Sequence, residues 1–369
     1  MAEQALPLSR AAHSRRFRPN GDGILMKADQ NQAVLRKLSI AACVLVALPL
    51  LFGFLGAHGS KFDAFSHFRT YLSLLLAALA IAALLLRAWL AGIVALCLAV
   101  AAFATTIASL NLPFSGPPRL KLISADDTEP VYRLLQINLR FDNPTPEKVL
   151  SLIGRVEPDV VTMDEVSPMW AEKLKLIKTA YPQQVICPTK ISIGGAAIIS
   201  RRPFAGEHPW TCDDWGAFAT ARVDFGGRVA EIADIHLSWP WPGDQHWELG
   251  RLASVLKGLD DTTLLSGDYN AVRWSATVYK VASEGNFKLV PPAGATWLYR
   301  RLPVWLRPYL GIEIDHIMAK GNLVIHSSRI LPDVGSDHAP VLVEFSFTPK
   351  PRPSREPVQT VSPLTVSMG

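Results

Sequence analysis

Charged side chains are scarce in this sequence. Only 19% of its 369 residues are Asp, Glu, Lys or Arg, while 49% are hydrophobic and the mean hydropathy is +0.19. The apolar excess lies almost entirely before residue 112. This distribution argues against a wholly soluble enzyme and predicts an apolar N-terminal part followed by a globular part large enough to bury a core.

Cysteine is equally rare, with four residues in the whole sequence. There is no Cys-x-x-Cys pair and no Cys/His cluster, which argues against a zinc site. Cys43 and Cys97 lie inside apolar runs and are predicted to be small buried hydrophobic residues. Cys187 and Cys212 lie in the globular part, where an oxidising compartment would permit a disulfide, but the sequence leaves their pairing open.

The first 37 residues are polar and basic, without sustained apolar periodicity, which predicts little regular structure. Their positive charges are Arg10, Arg15, Arg16, Arg18, Lys27, Arg36 and Lys37. A topology signal and a solvated arm are both open interpretations, and the two can hold together. Part of the net charge of +5 lies here and is therefore not evidence for nucleic-acid binding.

Three apolar stretches follow, at 38–57, 71–86 and 88–110. A helix needs about 20 apolar residues to cross a bilayer, and the second stretch reaches that length if it begins near Phe65. A cleaved signal peptide is disfavoured because two further stretches follow the first. Buried soluble helices are disfavoured because almost no polar face exists. The sequence predicts three transmembrane helices within 38–110, and the lipid bilayer as a partner.

The distribution of lysine and arginine predicts the orientation of these helices. The basic arm keeps the N-terminus cytoplasmic, and Arg87 marks a tight cytoplasmic turn between the second and third stretches. Three crossings then place the chain after residue 112 on the far side. In a bacterial-type cell, this predicts a multi-pass inner-membrane protein with a periplasmic domain.

The rest of the chain divides into a linker, a globular domain and a tail. Residues 111–130 contain Pro and Gly and are predicted to form the linker, and the Pro/Ser-rich residues 348–369 a disordered tail. Within 131–347, strands are predicted at 131–139, 159–166, 195–200, 228–237, 262–269, 313–319 and 340–347, and helices at 147–156, 169–180 and 246–259. This interleaving predicts a two-layered sheet core with helices outside it.

Polar side chains stand at or near the ends of the predicted strands. They are Asn138, Glu165, His236, Asp268, Asn270, Asp315, Asp337 and His338. Such groups suit phosphoester hydrolysis, which needs a hard cation held by oxygen ligands, a positioned water and stabilised phosphoryl oxygens. Taken singly, each has a structural interpretation, such as a turn at SGDYN. Their joint occurrence in order favours a catalytic site.

These residues belong to ordered motifs: N-x-R, DE-V, SRRP, HLS-x-P, GDYN, T-W, IDHI and GSDHAPV. The set resembles the endonuclease/exonuclease/phosphatase superfamily, which has the DNase I-like fold, over roughly residues 131–347. GSDHAPV alone is moderately specific, but with GDYN and IDHI in this order the signal is strong. The resemblance implies an α/β fold, a four-layered α/β sandwich, here preceded by three transmembrane helices. It also implies a metal-dependent hydrolase of phosphoester bonds.

The resemblance implies a metal site with Mg²⁺ or Mn²⁺. Glu165 would be the principal ligand, with Asn138 and Asp337 nearby.

The resemblance also implies catalytic roles for five residues. His338 would be the general base that activates the attacking water, and Asp315 would orient it. Asp268 and Asn270 would position the water and the phosphate oxygens. His236 would donate to the phosphoryl group or to the leaving oxygen.

The sequence departs from the family pattern in several places. Asp164 replaces the glutamine that often precedes the metal-ligating glutamate and is expected to add negative charge. Tyr269 replaces the commoner Phe. Arg140 and His236 stand where abasic-site endonucleases carry an aspartate and an asparagine. These last two differences favour the secreted nuclease and sphingomyelinase-like side of the family.

The segment 296–311 is rich in aromatic residues and arginine. It contains Trp297, Tyr299, Trp305 and Tyr309, interleaved with Arg300, Arg301 and Arg307. Four interpretations are open: stacking on bases, binding of a phosphate, contact with a bilayer surface and a plain structural loop.

Together these features predict a divalent-metal-dependent phosphoesterase that hydrolyses a phosphodiester or phosphomonoester outside the cytoplasm. The substrate is a nucleic acid or a phospholipid headgroup, and the tether slightly favours the headgroup, because it would meet the site at high effective concentration. The competing hypothesis is a non-catalytic, membrane-tethered binding or scaffolding protein that keeps the fold. The sequence indicates no protein partner.

Overall fold

The computed structural model describes residues 21–110, 112–125, 129–189, 193–213 and 215–349, without the side chains of 21–28 and 108. The predictions for residues 1–20 and for the tail after residue 349 lie outside the described residues. The chain divides into two compact units. One comprises Met1–Leu50 with Thr70–Phe103, and the other comprises Leu51–Arg69 with Ala104–Gly369.

Four helices occupy the apolar N-terminal part: α1 (Gly21–Phe52), α2 (Ser60–Ser66), α3 (Arg69–Leu85) and α4 (Trp89–Thr106). Two described helices are long and apolar enough to cross a membrane, Asp29–Phe52 and Trp89–Thr106. A third crossing requires that α2 and α3, which meet at a bend, count as one span. α3 alone has 17 residues, at the lower end of the about 17–25 that a crossing needs. The described residues therefore contain two to three candidate spans, where the sequence predicts three.

Two further expectations for this part are corrected. α1 begins at Gly21, so residues 21–37 are helical although little regular structure is predicted there. Good helix formers such as Ala33, Leu35 and Arg36 extend the apolar helix backwards. Cys97 is exposed, whereas Cys43 is buried as predicted.

The second unit contains two six-stranded sheets. The strands are β1 (Tyr132–Asn138), β2 (Val160–Val166), β3 (Gln183–Ile186), β4 (Gly195–Ser200), β5 (Trp210–Cys212), β6 (Phe218–Asp224), β7 (Val229–His236), β8 (Thr263–Asp268), β9 (Lys288–Leu289), β10 (Asp315–Lys320), β11 (Leu323–Ile330) and β12 (Val341–Phe347). The first sheet has the order β11-β12-β1-β2-β4-β3 and the second β5-β6-β7-β8-β10-β9. Every predicted strand has a counterpart, and β3, β5, β6, β9 and β11 come in addition.

Helices cover the outer faces of both sheets. They are α5 (Pro146–Val156), α6 (Pro168–Leu174), α7 (Gln245–Gly258) and α8 (Ala276–Gly285). The short α9 (Arg307–Leu310) lies in the segment before β10. The three predicted helices correspond to α5, to α6 with the 3₁₀ turn Lys175–Ile177 that follows it, and to α7.

Three apolar clusters show the layering of this unit. Consecutive residues of a strand point to opposite faces of its sheet. Accordingly, Leu134 of β1 joins the cluster between the two sheets, while Leu135 packs with α5 and α6 on the outer face of the first sheet. A third cluster lies between the second sheet, α7 and α8. The unit is the predicted four-layered α/β sandwich of the DNase I-like type.

Two connections tie the periphery of the sandwich. A disulfide joins Cys187, directly after the edge strand β3, to Cys212 of the edge strand β5, and thus links the edges of the two sheets. Within the predicted linker, Leu120 donates its main-chain N–H to Leu289 O (2.9 Å) and Ile123 donates to Ile325 O (2.9 Å).

Candidate active site

The sheet topology brings the predicted polar side chains to one end of the sandwich. Asn138 ends β1, His236 ends β7 and Asp268 ends β8, while Asp315 opens the antiparallel strand β10. Asp268 stands in register with His236 on one side and with Asp315 on the other. Gly267 permits this pairing, because a Cβ at its φ of 141° would overlap the Ile235 carbonyl.

Asp268 is the most connected of these side chains. Its Oδ2 atom accepts from Asn138 Nδ2 (3.0 Å) and lies 3.6 Å from His338 Nε2 and 3.9 Å from His236 Nε2. Its Oδ1 atom accepts from the main-chain N–H of Asn270 (2.8 Å). Four of the residues predicted from sequence therefore surround one buried carboxyl group.

His338 and Asp315 form the predicted pair. His338 donates from Nδ1 to Oδ2 of Asp315 at 2.9 Å, and both residues are buried. The hydrogen bond holds the ring so that Nε2 faces Asp268. His338 also lines a cavity of this unit, and since Nδ1 is bonded to Asp315, Nε2 is the ring nitrogen that can exchange a proton with a bound water.

Glu165 stands in an uncommon backbone conformation. Its φ is 59°, in the left-handed region that costs a non-glycine residue about 1–3 kcal/mol and that clusters at functional sites. The carboxylate accepts from the Phe141 main-chain N–H (2.8 Å) and from Asn138 Nδ2 (3.2 Å). Glu165 remains partly exposed and lines the cavity together with Asp337.

Asn138 is oriented by its neighbours. Its Oδ1 accepts from the Arg140 main-chain N–H (3.0 Å), which turns Nδ2 towards Glu165 and Asp268. In this orientation Asn138 is a hydrogen-bond donor to the two carboxyl groups, and its amide oxygen is already used. The predicted role of Asn138 as a metal ligand requires the side chain to turn.

The charges of the site depend on one another. Burial raises the pKa of Asp268 to about 6, although His338 works in the opposite direction. Burial also disfavours an imidazolium at His338, but Asp315 and Asp268 outweigh it and raise the pKa of His338 to about 10. In return, His338 and hydrogen bonds from Thr296 and Gln136 overcome burial and lower the pKa of Asp315. His338 is therefore a charged proton donor in this arrangement.

Burial disfavours the negative charge that is expected at Asp164. The residue is fully buried, and burial together with Asp234, Asp268 and Asp315 raises its pKa well above the usual value. Its Oδ2 accepts from Gln136 Nε2 (3.1 Å) and from the Asp268 main-chain N–H (3.0 Å). The carboxyl group thus supports the main chain of Asp268.

A cavity of about 630 Å³ opens above these residues. Its wall includes residues that sequence reasoning missed, namely Phe141, Trp215, Trp239, Pro242 and Glu248. Trp239 stands at the variable position of the HLS-x-P motif, within the tryptophan-rich SWPWPGD, while Trp215 lies outside the motifs. Arg251 stacks on the rings of Trp215 and Trp247 and holds one side of this wall.

The segment 296–311 divides between two roles. Trp297, Tyr299 and Arg300 line the cavity. Arg307, in contrast, is buried and donates to Ser336 O (3.3 Å), so it supports the loop that carries Asp337 and is not available to a headgroup or a phosphate. Trp305 and Tyr309 are exposed and do not line this cavity.

The donor set fits a divalent cation. Glu165 and Asp337 present carboxylate oxygens to the cavity, and Asp268, Asp315 and His338 offer ligand atoms within 4.8 Å of one another. Hard cations prefer oxygen donors of this kind. Asp315 and His338 are already hydrogen-bonded to each other. Glu165 and Asp337 are therefore the better candidates for metal ligands.

A two-sheet sandwich whose strand ends carry paired carboxylates, asparagines and a histidine–aspartate pair defines a phosphoesterase. The endonuclease/exonuclease/phosphatase family model matches residues 135–338, more than half of the chain. The chain belongs to this family and is a hydrolase that acts on phosphoester bonds. No curated protein matches it in sequence.

Several solved structures are similar to this chain at low sequence identity. Beta toxin from Staphylococcus aureus is 17% identical and covers 57% of this chain and 99% of its own, with a TM-score of 0.44. TDP2 from D. rerio, complexed with a single-strand DNA product, is 18% identical (58% and 98% covered, TM-score 0.48). Sphingomyelinase C from Streptomyces griseocarneus is 14% identical (58% and 99%, TM-score 0.41). These similarities are too remote to indicate the substrate of this chain.

We expect His338→Ala and Asp268→Asn each to lower the kcat of phosphoester hydrolysis by at least about a hundredfold, the usual scale for acid–base groups. Both side chains meet at 3.6 Å beside the cavity. Hydrolysis of bis(4-nitrophenyl) phosphate by the full chain in detergent measures the effect. His208→Ala, at an exposed position, is the control. Near-normal turnover in a folded variant would remove that residue from the mechanism.

Proposed function

We propose that the chain is a Mg²⁺- or Mn²⁺-dependent phosphoesterase tethered to a membrane. The observation that carries this proposal is the convergence of Glu165, Asp268, Asp337 and His338 on one cavity. Their carboxylate oxygens suit a hard cation, and the histidine–aspartate pair beside them suits proton transfer. A binding or scaffolding protein would have no use for both groups in one place.

The chain's own residues have distinct roles in this reaction. A bound divalent cation would supply charge stabilisation to the phosphoryl oxygens. Asp315 holds the His338 ring at 2.9 Å, so that Nε2 can exchange a proton with the water that attacks phosphorus. Asp268 and Asn270 position that water and the phosphate oxygens, and His236, at the end of β7, donates to the phosphoryl or leaving oxygen.

We expect hydrolysis by the full chain to require Mg²⁺ or Mn²⁺ and to stop on chelation with EDTA. Glu165→Gln removes a ligand charge at nearly constant volume and should lower cation-dependent turnover by at least about a hundredfold. Glu172→Gln on the surface of α6 is the matched control, because Glu172 is exposed and pairs with the exposed Lys175. Hydrolysis that survives EDTA would refute the metal role, and no hydrolysis under any condition would favour the scaffolding hypothesis.

The tether is supported by the packing of the first unit. Its buried side chains are mostly small, including Ala80, Ala83 and Ala99, whereas Leu85 and Leu90 are 78% and 79% exposed. Small residues inside and large apolar residues outside are typical of helices that pack in lipid. The basic arm favours a cytoplasmic N-terminus. With three crossings, the catalytic domain would be periplasmic, at the inner membrane.

We expect a periplasm-dependent reporter fused after residue 349 to be active. The Cys187–Cys212 disulfide agrees with an oxidising compartment. The same fusion with a reporter that works only in the cytoplasm is the control. Activity of that second reporter alone would show that the number of crossings is even.

The cavity favours a phospholipid headgroup ester as substrate. Trp215, Trp239, Trp297 and Tyr299 form an aromatic wall, which suits a small organic headgroup and an apolar chain beside it. A nucleic-acid site is expected to be strongly basic. Among the residues that line this cavity, the cationic side chains besides histidine are Arg140 and Arg300, and both lie near Asp142 (2.7 and 3.7 Å). A polyanion would find little uncompensated positive charge there.

We expect the full chain, reconstituted with Mg²⁺, to release phosphorylated headgroup from vesicles of mixed phosphatidylcholine, phosphatidylglycerol and sphingomyelin faster than it nicks plasmid DNA. Mass spectrometry of the aqueous phase and agarose gels measure the two rates. Glu165→Gln controls for contaminating activity in both assays. Efficient DNA cleavage without headgroup release would overturn the lipid substrate and leave the phosphoesterase assignment intact.

A further inference from the structure

The connection between α1 and α3 belongs to the catalytic unit. Residues Leu51–Arg69 cluster with Ala104–Gly369 and not with the apolar helices that flank them in sequence. The family match begins at residue 135, so this segment is not part of the matched domain. Its contacts concentrate on the loop that follows β8 and carries Asn270.

The first contact is a helix cap. Asp63 accepts from the main-chain N–H groups of Ala276 (2.8 Å) and Thr277 (3.1 Å), the first two residues of α8. An acidic side chain in this position satisfies N–H groups that have no partner inside the helix and complements the helix dipole. Asp63 is 2% exposed, so the cap is buried.

The second contact holds the middle of the same loop. Trp274 donates from Nε1 to the carbonyl oxygen of Ser66 (2.8 Å). Arg69 is buried beside it and donates to the carbonyl oxygens of Gly53 (3.0 Å) and Phe114 (2.8 Å). Arg69 therefore joins the end of the segment to Gly53 near its beginning. Ser66 and Arg69 also bond to residues outside the segment, Trp274 and Phe114.

The third contact reaches the candidate active site directly. His67 Nε2 lies 3.0 Å from the carbonyl oxygen of Asn270. A carbonyl oxygen only accepts, so this contact is a hydrogen bond in the tautomer that carries its proton on Nε2. Nδ1 lies 3.1 Å from Ala64 O, within the segment itself. His67 is 2% exposed, so water does not replace it as the donor in this arrangement.

His67 also supports the cavity wall. Its ring contacts the ring of Trp239 at 5.4 Å between centroids, and Trp239 contacts Trp297 at 5.7 Å. Both tryptophans line the cavity. One imidazole therefore contacts the main chain of a predicted catalytic residue on one side and the aromatic wall on the other.

Asn270 needs such support because its φ is 44°. A non-glycine residue remains in the left-handed region only when its surroundings determine its conformation. Three hydrogen bonds do so. Its N–H donates to Asp268 Oδ1 and its Nδ2 donates to Leu237 O (2.7 Å), while its carbonyl oxygen accepts from His67 Nε2. Without His67, the remaining side-chain donor to that carbonyl is Gln245 Nε2, at 3.5 Å.

The geometry points to His67 as a positioning residue of the active site, supplied by the connection between two apolar helices. His67 fixes the position of the Asn270 main chain and of the Trp239 ring. The contacts of Asp63 and Ser66 fix the segment that carries His67. The catalytic unit is then complete only with residues 51–69, and a fragment that begins near residue 120 lacks this support. The inference rests on the proposed phosphoesterase function.

We expect His67→Ala, in the full chain in detergent micelles, to lower kcat for bis(4-nitrophenyl) phosphate by about tenfold or more, with KM changed less than about threefold. Small displacements of a catalytic group have effects of this size on turnover. His67→Gln places an amide donor near Nε2 and should restore kcat to within about threefold of the wild type. His58→Ala, an exposed histidine of the same segment, should have no effect.

Hydrogen exchange provides a readout that needs no activity. In His67→Ala, amides of a peptide spanning residues 269–277 should exchange at least about tenfold faster, while peptides of β1 and β12 stay unchanged, because the opening is local. Unchanged exchange and unchanged kcat would overturn the inference, as would an equal loss in His67→Gln and His67→Ala at a normal melting temperature. If the wild type hydrolyses nothing, the proposed function fails, while the exchange result still decides whether His67 positions this loop.

Discussion

The carboxyl group of Asp268 joins the two sheets at the active site, and the other site residues take their positions from it. It accepts from Asn138 of the first sheet, and its own main-chain N–H donates to Asp164 of the same sheet. A carboxyl group that is 1% exposed is tolerated only with such partners. The need to satisfy this one buried group therefore determines how the ends of β1, β2 and β8 meet, and it brings motifs that are distant in sequence to one place.

The sheets and the polar residues at their ends were predictable because local signals encode them. β4 is buried along its whole length and reads as a short apolar run bounded by turn residues. Asp268 directly follows Gly267 at the end of β8, Asp337 directly follows Ser336 shortly before β12, and the order of the motifs identified the family. β11 was missed because it carries His326 and two serines and is interrupted by a bulge.

The cavity wall and the α1–α3 connection have no such local signal. Trp239 and Trp297 come from different loops and meet only in the folded chain. Asp63 and His67 look like ordinary polar residues beside an apolar run, while their partners Ala276 and Asn270 lie 213 and 203 residues further along. The burial of Asp164 was not predictable for a related reason, because its packing against Asp234 is a property of the packed sheets.

The protonation of His338 follows from a balance of charges that a cation must change. Asp315 and Asp268 raise its pKa to about 10, so the ring is charged at neutral pH and cannot accept a proton from water. The role of general base requires the neutral ring, and hence less negative charge around it. Positive charge beside Glu165 and Asp337 acts in this direction, because it opposes the imidazolium and stabilises the same carboxylates. The sign of this coupling makes cation binding and loss of the His338 proton mutually favourable. A cation bound as proposed would thus favour the acid–base chemistry as well as supply charge for the phosphoryl oxygens.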